Sequence, residues 1–458
     1  MQAIYNFFQV LLNDAGPTVM LPIIILIIGL IFRVKPGKAF RSGLLVGIGF
    51  AGIKLVINLL SSNLGPAAQA MVKNFGIKLD VLDIGWGAIA AVTWSSPIIP
   101  ILIFVILITN IVMLILKATN TLDVDIWNYH HMAIVGIMTY FVTKNVILGV
   151  AAAMTMAVIT FKMSDWSENL VSDYFGLPGV SLPTMSALSS LVIAVPLNWL
   201  LDKIPGINKV KFTVKDAKKY LGLFGEPMMM GLILGGVIGI LAKYDITKVL
   251  NVAVNLSAVM VLIPKMTSLF MEGLMPISEA AKKYTKEKFK GRKFLIGLDA
   301  AVVVGNPEVI TTSLIVIPLT ILLAAILPGN RVLPFADLAV VTFRVALVVA
   351  LTQGNLLKNI IIGLACTAAI LLAGTNTAPV LTELAKSTGI DLGVAGGALI
   401  SSFAATSLTV SFIVYKVFTG NLIITLPIFL VSFIAIWVYI DVIKKKQVNG
   451  VQVEKETL

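Results

Sequence analysis

The sequence predicts an all-α polytopic membrane protein, built as an inverted 5+5 repeat of spans with two re-entrant hairpins. Three observations predict it. Of the 458 residues, 58% are hydrophobic and only 13% charged, and the mean hydropathy is +0.97, whereas soluble domains carry about 25% charged residues. Apolar runs of spanning length, roughly 17–25 residues, recur along the chain, and no cleavable signal sequence is expected before them. Third, the two halves echo one another at a near-constant interval. Gly16-Pro17-Thr18-Val19-Met20 resembles Gly225-Glu226-Pro227-Met228-Met229, and Gly65-Pro66-Ala67-Ala68 corresponds to Gly273-Leu274-Met275-Pro276. Asp125 matches Asp337 (337 − 125 = 212), and Asn145 matches Asn355 (355 − 145 = 210). Each half then holds five spans and one re-entrant element. Five is odd, so the second half enters the membrane from the opposite side, the pattern of transporters.

Taken in order, residues 1–15 read as a short interfacial helix, and Gly16-Pro17-Thr18 opens a span to about 32. Arg33, Lys35, Lys38 and Arg41 follow. A second span over about 42–60 carries Gly43 and Gly47, a small-xxx-small pair suited to close helix packing, and Lys54, which needs a partner or water. Residues 61–82 read as a polar connection. The stretch near 83–97, with Asp83, Gly85, Trp86, Thr93 and Pro97 in apolar surroundings, is the first re-entrant hairpin. A span at about 98–116 leads to Asp123, Asp125, Trp127, Asn128, Tyr129, His130 and His131, which include both histidines of the chain. Spans at about 132–142 and 146–161 complete the first repeat, 1–161. Residues 162–224 read as an amphipathic cytoplasmic linker with interfacial helices, of which Leu188–Leu201 is apolar enough to dip into the membrane.

The second repeat, 225–373, has spans at about 226–242, 249–271, 309–327, 338–351 and 359–373, and a hairpin near 294–318. This hairpin is apolar enough for a bilayer, yet it carries Asp299, Asn306 and Glu308 without a basic residue. An ionised carboxylate near the bilayer centre costs at least about 2.5–3.5 kcal/mol, so such groups face a cavity or a partner. Pro307 cannot donate a backbone hydrogen bond, which makes Gly305-Asn306-Pro307-Glu308 a break rather than a continuous helix. The bland alternative puts Glu308 at a helix N-terminus just outside the membrane. Residues 374–458 supply a further re-entrant segment, a last span at about 421–440 and a tail.

Charge and cysteine exclude other classes. The net charge of +12 comes from basic clusters between spans, so no nucleic-acid partner is implied. The clusters at 33–41, 203–219, 282–293 and 444–446 fall on one side, the cytoplasm, while the sparsely basic 61–82, 243–248 and 328–336 fall outside. The chain therefore starts outside and ends in the cytoplasm. Cys366, the single cysteine, lies inside an apolar run, which leaves no disulfide and no cysteine pair for a metal.

The motifs Gly16-Pro17-Thr18-Val19-Met20-Leu21-Pro22, Gly65-Pro66-Ala67-Ala68, Val124-Asp125-Ile126-Trp127-Asn128, Phe224-Gly225-Glu226-Pro227, Leu295-Ile296-Gly297-Leu298-Asp299 and Val332-Leu333-Pro334-Phe335-Ala336-Asp337-Leu338 together resemble the galactitol-type IIC permeases of the bacterial phosphoenolpyruvate-dependent phosphotransferase system. The resemblance runs over about 16–370. It implies a homodimer of eleven-span protomers in the bacterial inner membrane, in contact with lipid, with a scaffold from the opening spans of each repeat and a mobile core that holds the hairpins. It also implies IIA and IIB partners, the IIB carrying a phosphocysteine that phosphorylates the sugar. With Cys366 buried in a span, this chain has no such cysteine and is a transport subunit rather than an enzyme, with no cofactor.

A polyol offers only hydroxyls, which carboxylates, amides and imidazoles bind, with aromatic faces against C–H surfaces. The candidate substrate-binding set is Glu308, Asn306 and Asp299 from one hairpin, Asp83 and Trp86 from the other, and Asn128 and His131 between them. Glu308 and His131 rank first. Against this, the histidines could cap the next span, Asp125 and Asp337 could be N-caps, and Trp86, Trp94 and Trp127 could be interfacial anchors. Two rival functions remain open at this point. One is an ion-coupled secondary transporter, with Asp83, Asp299 and Glu308 carrying protons or sodium and Lys54 as counter-charge. The other is a sugar-sensing receptor.

Overall fold

The computed structural model describes residues 16–74, 79–94, 96–125, 128–207, 227–288, 294–334, 336–388, 399–438 and 440. The interfacial helix expected at 1–15, Trp127 and the basic run beyond 207 lie outside them, as do the side chains of Lys54 and Trp94. The fold is mostly helical. Helices Val146–Tyr174, Met185–Lys203, Pro307–Ile326 and Leu356–Ser387 are long and apolar enough to cross a bilayer, and shorter apolar helices accompany them. This is the make-up of a polytopic membrane protein.

It is not all-α. Two small sheets, each of three parallel strands, interrupt the helices. In the first, β1 (Val81–Asp83) lies between β5 (Val332–Leu333) and β6 (Leu399–Ser401), with Val81 opposite both Val332 and Leu399. In the second, β4 (Leu295–Gly297) lies between β2 (Thr121–Asp123) and β3 (Val180–Ser181), with Thr121 opposite Leu295 and Ser181 opposite Gly297. The central strand of each sheet comes from one half of the chain and both flanking strands from the other. Strands of two or three residues are too short to show an alternating pattern, which is why the sequence reading contains no sheet. At the edge of the first sheet Arg331 chelates Asp80, with Nε 3.0 Å from Oδ1. This exposed bond holds the Asp80 carboxyl below its ordinary range.

Four helices form one packed group. Helix α1 (Gly16–Ile31) packs on α2 (Pro36–Asn74), α2 on α9 (Ile246–Lys288), and α9 on α8 (Pro227–Leu241). The polar connection expected at 61–82 is helical as far as Asn74, and α9 likewise runs well past 271. Polar side chains here satisfy one another across helices rather than ending them. Asn255 Nδ2 donates to Asn63 Oδ1 at 2.9 Å, and Asn74 Nδ2 donates to the carbonyl of Ala242 at 2.7 Å. Such bonds between membrane helices contribute about 0.6 kcal/mol on average, enough to favour helix over loop when several act together.

The remaining helices surround the sheets. They are α3 (Trp86–Trp94), α4 (Ile99–Ile115), α5 (Asn128–Thr143), α6 (Val146–Asn169), α7 (Met185–Lys203), α10 (Pro307–Ile326), α11 (Val341–Leu351), α12 (Leu356–Ser387), α13 (Thr409–Thr419) and α14 (Leu422–Val438). Residues 162–203 of the segment read as a linker are largely helical and packed into the body. Helix α6 continues through buried Lys162, Ser164, Ser167 and Glu168 into a π-helical turn at Leu170–Tyr174, and α7 packs against α11 and α12. The hydroxyls of Thr160 and Ser164 bond carbonyls one turn back, at 2.7 and 2.8 Å, so polarity there does not break the helix. The further re-entrant segment expected at 374–411 is helix to Ser387; β6 and a tight loop at 402–408 follow the undescribed 389–398.

Left-handed backbone recurs at the interval found in the motifs. Arg33 and Lys243 have φ of 62° and 53° (243 − 33 = 210), and Lys144 and Gln353 have φ of 52° and 55° (353 − 144 = 209). Arg33, Lys243 and Gln353 each end a helix in a Schellman-type closure, as when Val34 N bonds Gly29 O at 2.8 Å and Gly354 N bonds Val349 O at 2.8 Å.

Close backbone approach sets the helix crossings. A β-carbon at Gly235 in α8 would stand 2.7 Å from Ala253 Cα and 2.8 Å from the Val252 carbonyl of α9, whereas one at Gly236 would meet nothing within 4 Å. Backbone cannot swing aside, so Gly235→Ala must push the helices apart and cost about 1–3 kcal/mol. Gly236→Ala should instead be neutral or slightly stabilising, because alanine favours helix by up to about 1 kcal/mol. Thermal unfolding of the two purified variants in detergent checks this, and equal melting temperatures would contradict the packing described.

Candidate functional site

All strands in each sheet are parallel, so three chains emerge together at the C-terminal ends and turn away, leaving backbone N–H groups without ladder partners. Carboxylates take them up. In the first sheet, Asp83 is fully buried and accepts from Gly85 N at 3.3 Å, Phe403 N at 3.2 Å and Asp337 N at 2.8 Å. Asp337, also fully buried, accepts from Trp86 N at 2.7 Å, Ala404 N at 3.0 Å and Ser402 Oγ at 3.0 Å. Each aspartate thus ties together the three segments leaving the sheet. Arg344, 2% exposed, places its guanidinium carbon 4.1 Å from the centre of the Phe403 ring, donates to Thr367 Oγ1 at 3.1 Å, and offsets the charge of both aspartates.

The second sheet ends in a similar knot. Asp299 accepts from Ala301 N at 2.7 Å and from Thr184 Oγ1 at 3.3 Å. The Thr184 hydroxyl also lies 3.0 Å from Asn128 Oδ1 and accepts from Ala300 N at 2.8 Å. Asn128 Nδ2 donates to Asp123 Oδ1 at 3.1 Å, and Asp125 N donates to the same oxygen at 3.2 Å. Asp123 Oδ2 is buried without a partner among the described residues.

The candidate residues therefore separate into groups. Asp299 and Asn128 belong to one knot, Asp83 and the backbone of Trp86 to the other. His131 joins the first knot through its loop: Nε2 lies 3.2 Å from the Ala404 carbonyl, while Ala404 N is held by Asp337. A carbonyl only accepts, so Nε2 carries the proton and Nδ1 is a sealed acceptor without a donor. His130 stacks on His131 at 5.5 Å between centroids, with neither ring nitrogen bonded to a described residue. Neither histidine caps a span through its ring. The indole of Trp86 is 44% exposed.

Asn306 is the N-cap of α10, accepting from Glu308 N at 3.0 Å and Val309 N at 3.3 Å, with Pro307 at the first helical position where its missing N–H does no harm. Glu308 then sits in the first turn, favoured by the helix dipole, but it is not outside the packed body. It is 7% exposed, and no described residue hydrogen-bonds to its carboxylate or pairs with it. Its oxygens are not sealed either, since they are absent from the buried, unpartnered atoms. Among the seven candidates, Glu308 is the carboxylate left for something else to bind.

The sequence reading missed the residues that complete these knots. Asp337 was expected to be the N-cap of its own helix. It begins a 3-10 turn, makes no side-chain bond to it, and caps α3 in the other hairpin instead. Its match with Asp125 across the halves was the available signal. Thr184, Ser402 and Arg344 gave none, because each lies far in sequence from the aspartates it serves.

Comparison with known proteins bears on this arrangement. The family model described as the sugar-specific permease component of the PTS system, EIIC-GAT, matches residues 11–396. The chain is 40% identical over 406 residues to the galactitol-specific EIIC component of the PTS system of Escherichia coli (strain K12), covering 89% of each chain. It is similar to the same degree, over the same shares, to the galactitol-specific EIIC component of Escherichia coli O157:H7.

Asp337→Ala leaves three donors, Trp86 N, Ala404 N and Ser402 Oγ, without their acceptor, at about 1–3 kcal/mol each for those that stay buried. Asn306→Ala removes only a helix cap, worth about 1 kcal/mol. Asp337→Ala should therefore lower the unfolding temperature in detergent several times further than Asn306→Ala. Similar shifts would mean that Asp337 is not holding the hairpin ends.

Proposed function

The chain belongs to the sugar-specific permease components of the phosphotransferase system, and on that premise we propose that it carries galactitol or a similar polyol across the bacterial inner membrane. A IIB partner, charged through IIA, phosphorylates the polyol as it reaches the cytoplasm. Glu308 carries the reading: a nearly buried carboxylate without a protein partner, on the first turn of a helix that follows a broken segment. Broken backbone of this kind in membrane proteins lines cavities and binding sites. In this reading Glu308 accepts hydrogen bonds from the polyol and Trp86 presents its exposed face. Asp83, Asp299, Asn128, Asn306 and His131 hold the backbone that shapes the site.

The same reading takes the two halves as inverted repeats of five spans, with an eleventh span at the end, the N-terminus outside and the C-terminus in the cytoplasm. Its support is the recurrence of motifs and left-handed turns about 210 residues apart and the exchange of strands between halves in both sheets. Helices α1, α2, α8 and α9 then act as a scaffold, paired with that of a second protomer, and the sheet-bearing core slides against it in an elevator-like motion. Ion coupling through Asp83 or Asp299 is disfavoured, because both carboxylates are occupied by fixed donors.

Two measurements test the proposal. Membrane vesicles supplied with phosphoenolpyruvate and the soluble partners should accumulate phosphorylated galactitol, and ionophores should leave this uptake intact. Uptake driven by an ion gradient without phosphoenolpyruvate would overturn the reading in favour of a secondary transporter. Charge-assisted bonds are worth about 1.5–3 kcal/mol, so Glu308→Gln should bind galactitol roughly 10- to 100-fold more weakly by calorimetry. It should still reach the membrane at normal levels, since a charge has been removed from it.

A further inference from the structure

The π-helical turn Leu170–Tyr174 closes α6 in the first half of the chain, and π-bulges inside helices frequently mark functional sites. Its last residue, Tyr174, reaches Glu308 of the second half. The two meet at Gly354, between α11 and α12. A β-carbon built there would stand 2.7 Å from Tyr174 Oη and 3.3 Å from Glu308 Cγ. Both side chains therefore pack directly on Gly354, which leaves no room for a side chain there and brings the phenol and the carboxyl group together. The Tyr174 hydroxyl, like the Glu308 carboxylate, makes no hydrogen bond to a described residue, and neither group is sealed off. Gly354 itself has φ +77°, and Gln353 before it is also left-handed.

We propose that Tyr174 is a further substrate-binding residue, and that Tyr174 and Glu308, which meet over Gly354, together read a single hydroxyl of the polyol. The inference rests on the assignment of Glu308 as a polyol ligand. The chemistry is specific. An ionised carboxylate only accepts, whereas a phenol can donate. A group that satisfies both must donate its proton to Glu308 and accept one from Tyr174. An alcohol does this; a methylene does neither, and a carbonyl accepts but cannot donate. The pair would therefore select a hydroxyl over a deoxy or oxo carbon at one position of the chain. Sites built to hydrogen-bond a hydroxyl discriminate strongly against analogues lacking it, because their polar groups are then left unpaired.

The test is calorimetric titration of the full-length protein in detergent with galactitol and its monodeoxy analogues. Tyr174→Phe should weaken galactitol binding by about threefold to tenfold, the span of a neutral hydrogen bond. One deoxy position should cost wild type most, and that cost should shrink in Tyr174→Phe while the others persist. Strictly additive losses at every position, or wild-type affinity in Tyr174→Phe, would overturn the inference. Gly354→Ala would push the Tyr174 hydroxyl and Glu308 apart and should weaken binding strongly. Its φ strain is matched by Gly329→Ala, where φ is +78° but the nearest atom, Leu372 Cδ2, lies 3.9 Å away, and which should bind normally. If Gly354→Ala binds as tightly as Gly329→Ala, the pair over Gly354 is not the site. Failure of the underlying reading looks different: Glu308→Gln would then match wild type, or wild type would not bind galactitol at all.

Discussion

Backbone N–H groups released inside an apolar body must find acceptors, and the way this protein supplies them governs the rest of its structure. Each break in the chain near a sheet end frees several donors, and each one left buried without an acceptor costs about 1–3 kcal/mol. Asp83 and Asp337 answer at one sheet, and Asp299, with the Thr184–Asn128–Asp123 chain, at the other. A carboxylate suits the task because its two oxygens offer about four acceptor sites, enough to gather segments from distant parts of the sequence. The sheets themselves are only two or three residues deep. Their role is to bring three chain ends to one point, where a single aspartate can hold them.

This constraint also sorts the polar residues by use. A carboxylate surrounded by backbone donors is fixed in place and has little capacity left for a ligand, however suggestive its position in an apolar run. Arg344, buried beside Phe403, moderates the negative charge that the first knot gathers, in line with the need for buried charges to be compensated. Glu308 stands apart. Asn306 caps its helix and Pro307 starts it, so the local structure is complete before the Glu308 side chain is used, and no described residue hydrogen-bonds to its carboxylate.

Much of the fold was legible. Both ends of α4 and the start of α14 lie within a few residues of the apolar boundaries, because apolar length and Pro or Gly punctuation act locally. Extents were misjudged wherever polar residues appeared within helices, as at Asn63, Asn74 and Lys162, since whether such a residue ends a helix depends on a partner tens to hundreds of residues away. The site was half legible for the same reason. Carboxylates in apolar surroundings flagged Asp83, Asp299 and Glu308 alike; only the positions of Phe403, Asp337 and Thr184 separate those that bind backbone from the one that does not. Tyr174 carried no signal, being an ordinary aromatic on a segment read as linker.

The arrangement of hydrogen bonds also bears on how the proposed movement would proceed. Both sheets interlace the two halves of the chain, and each knot closes several buried bonds between them, so displacing one half of the core against the other would expose donors at both knots together. Among the described residues, bonds between Asn63 and Asn255, Asn74 and Ala242, and Arg41 and Glu272 join the helices of the four-helix group to one another. Helix packing, such as α8 against α10, joins the group to the core. Packed helix surfaces can exchange one set of dispersion contacts for another as they slide, whereas a buried donor stripped of its acceptor gains nothing in return. For the elevator-like motion proposed above, a displacement that keeps both sheets intact and slips along the boundary with α1, α2, α8 and α9 would break none of these sheet-end bonds. It would carry Glu308 and both hairpins as one body.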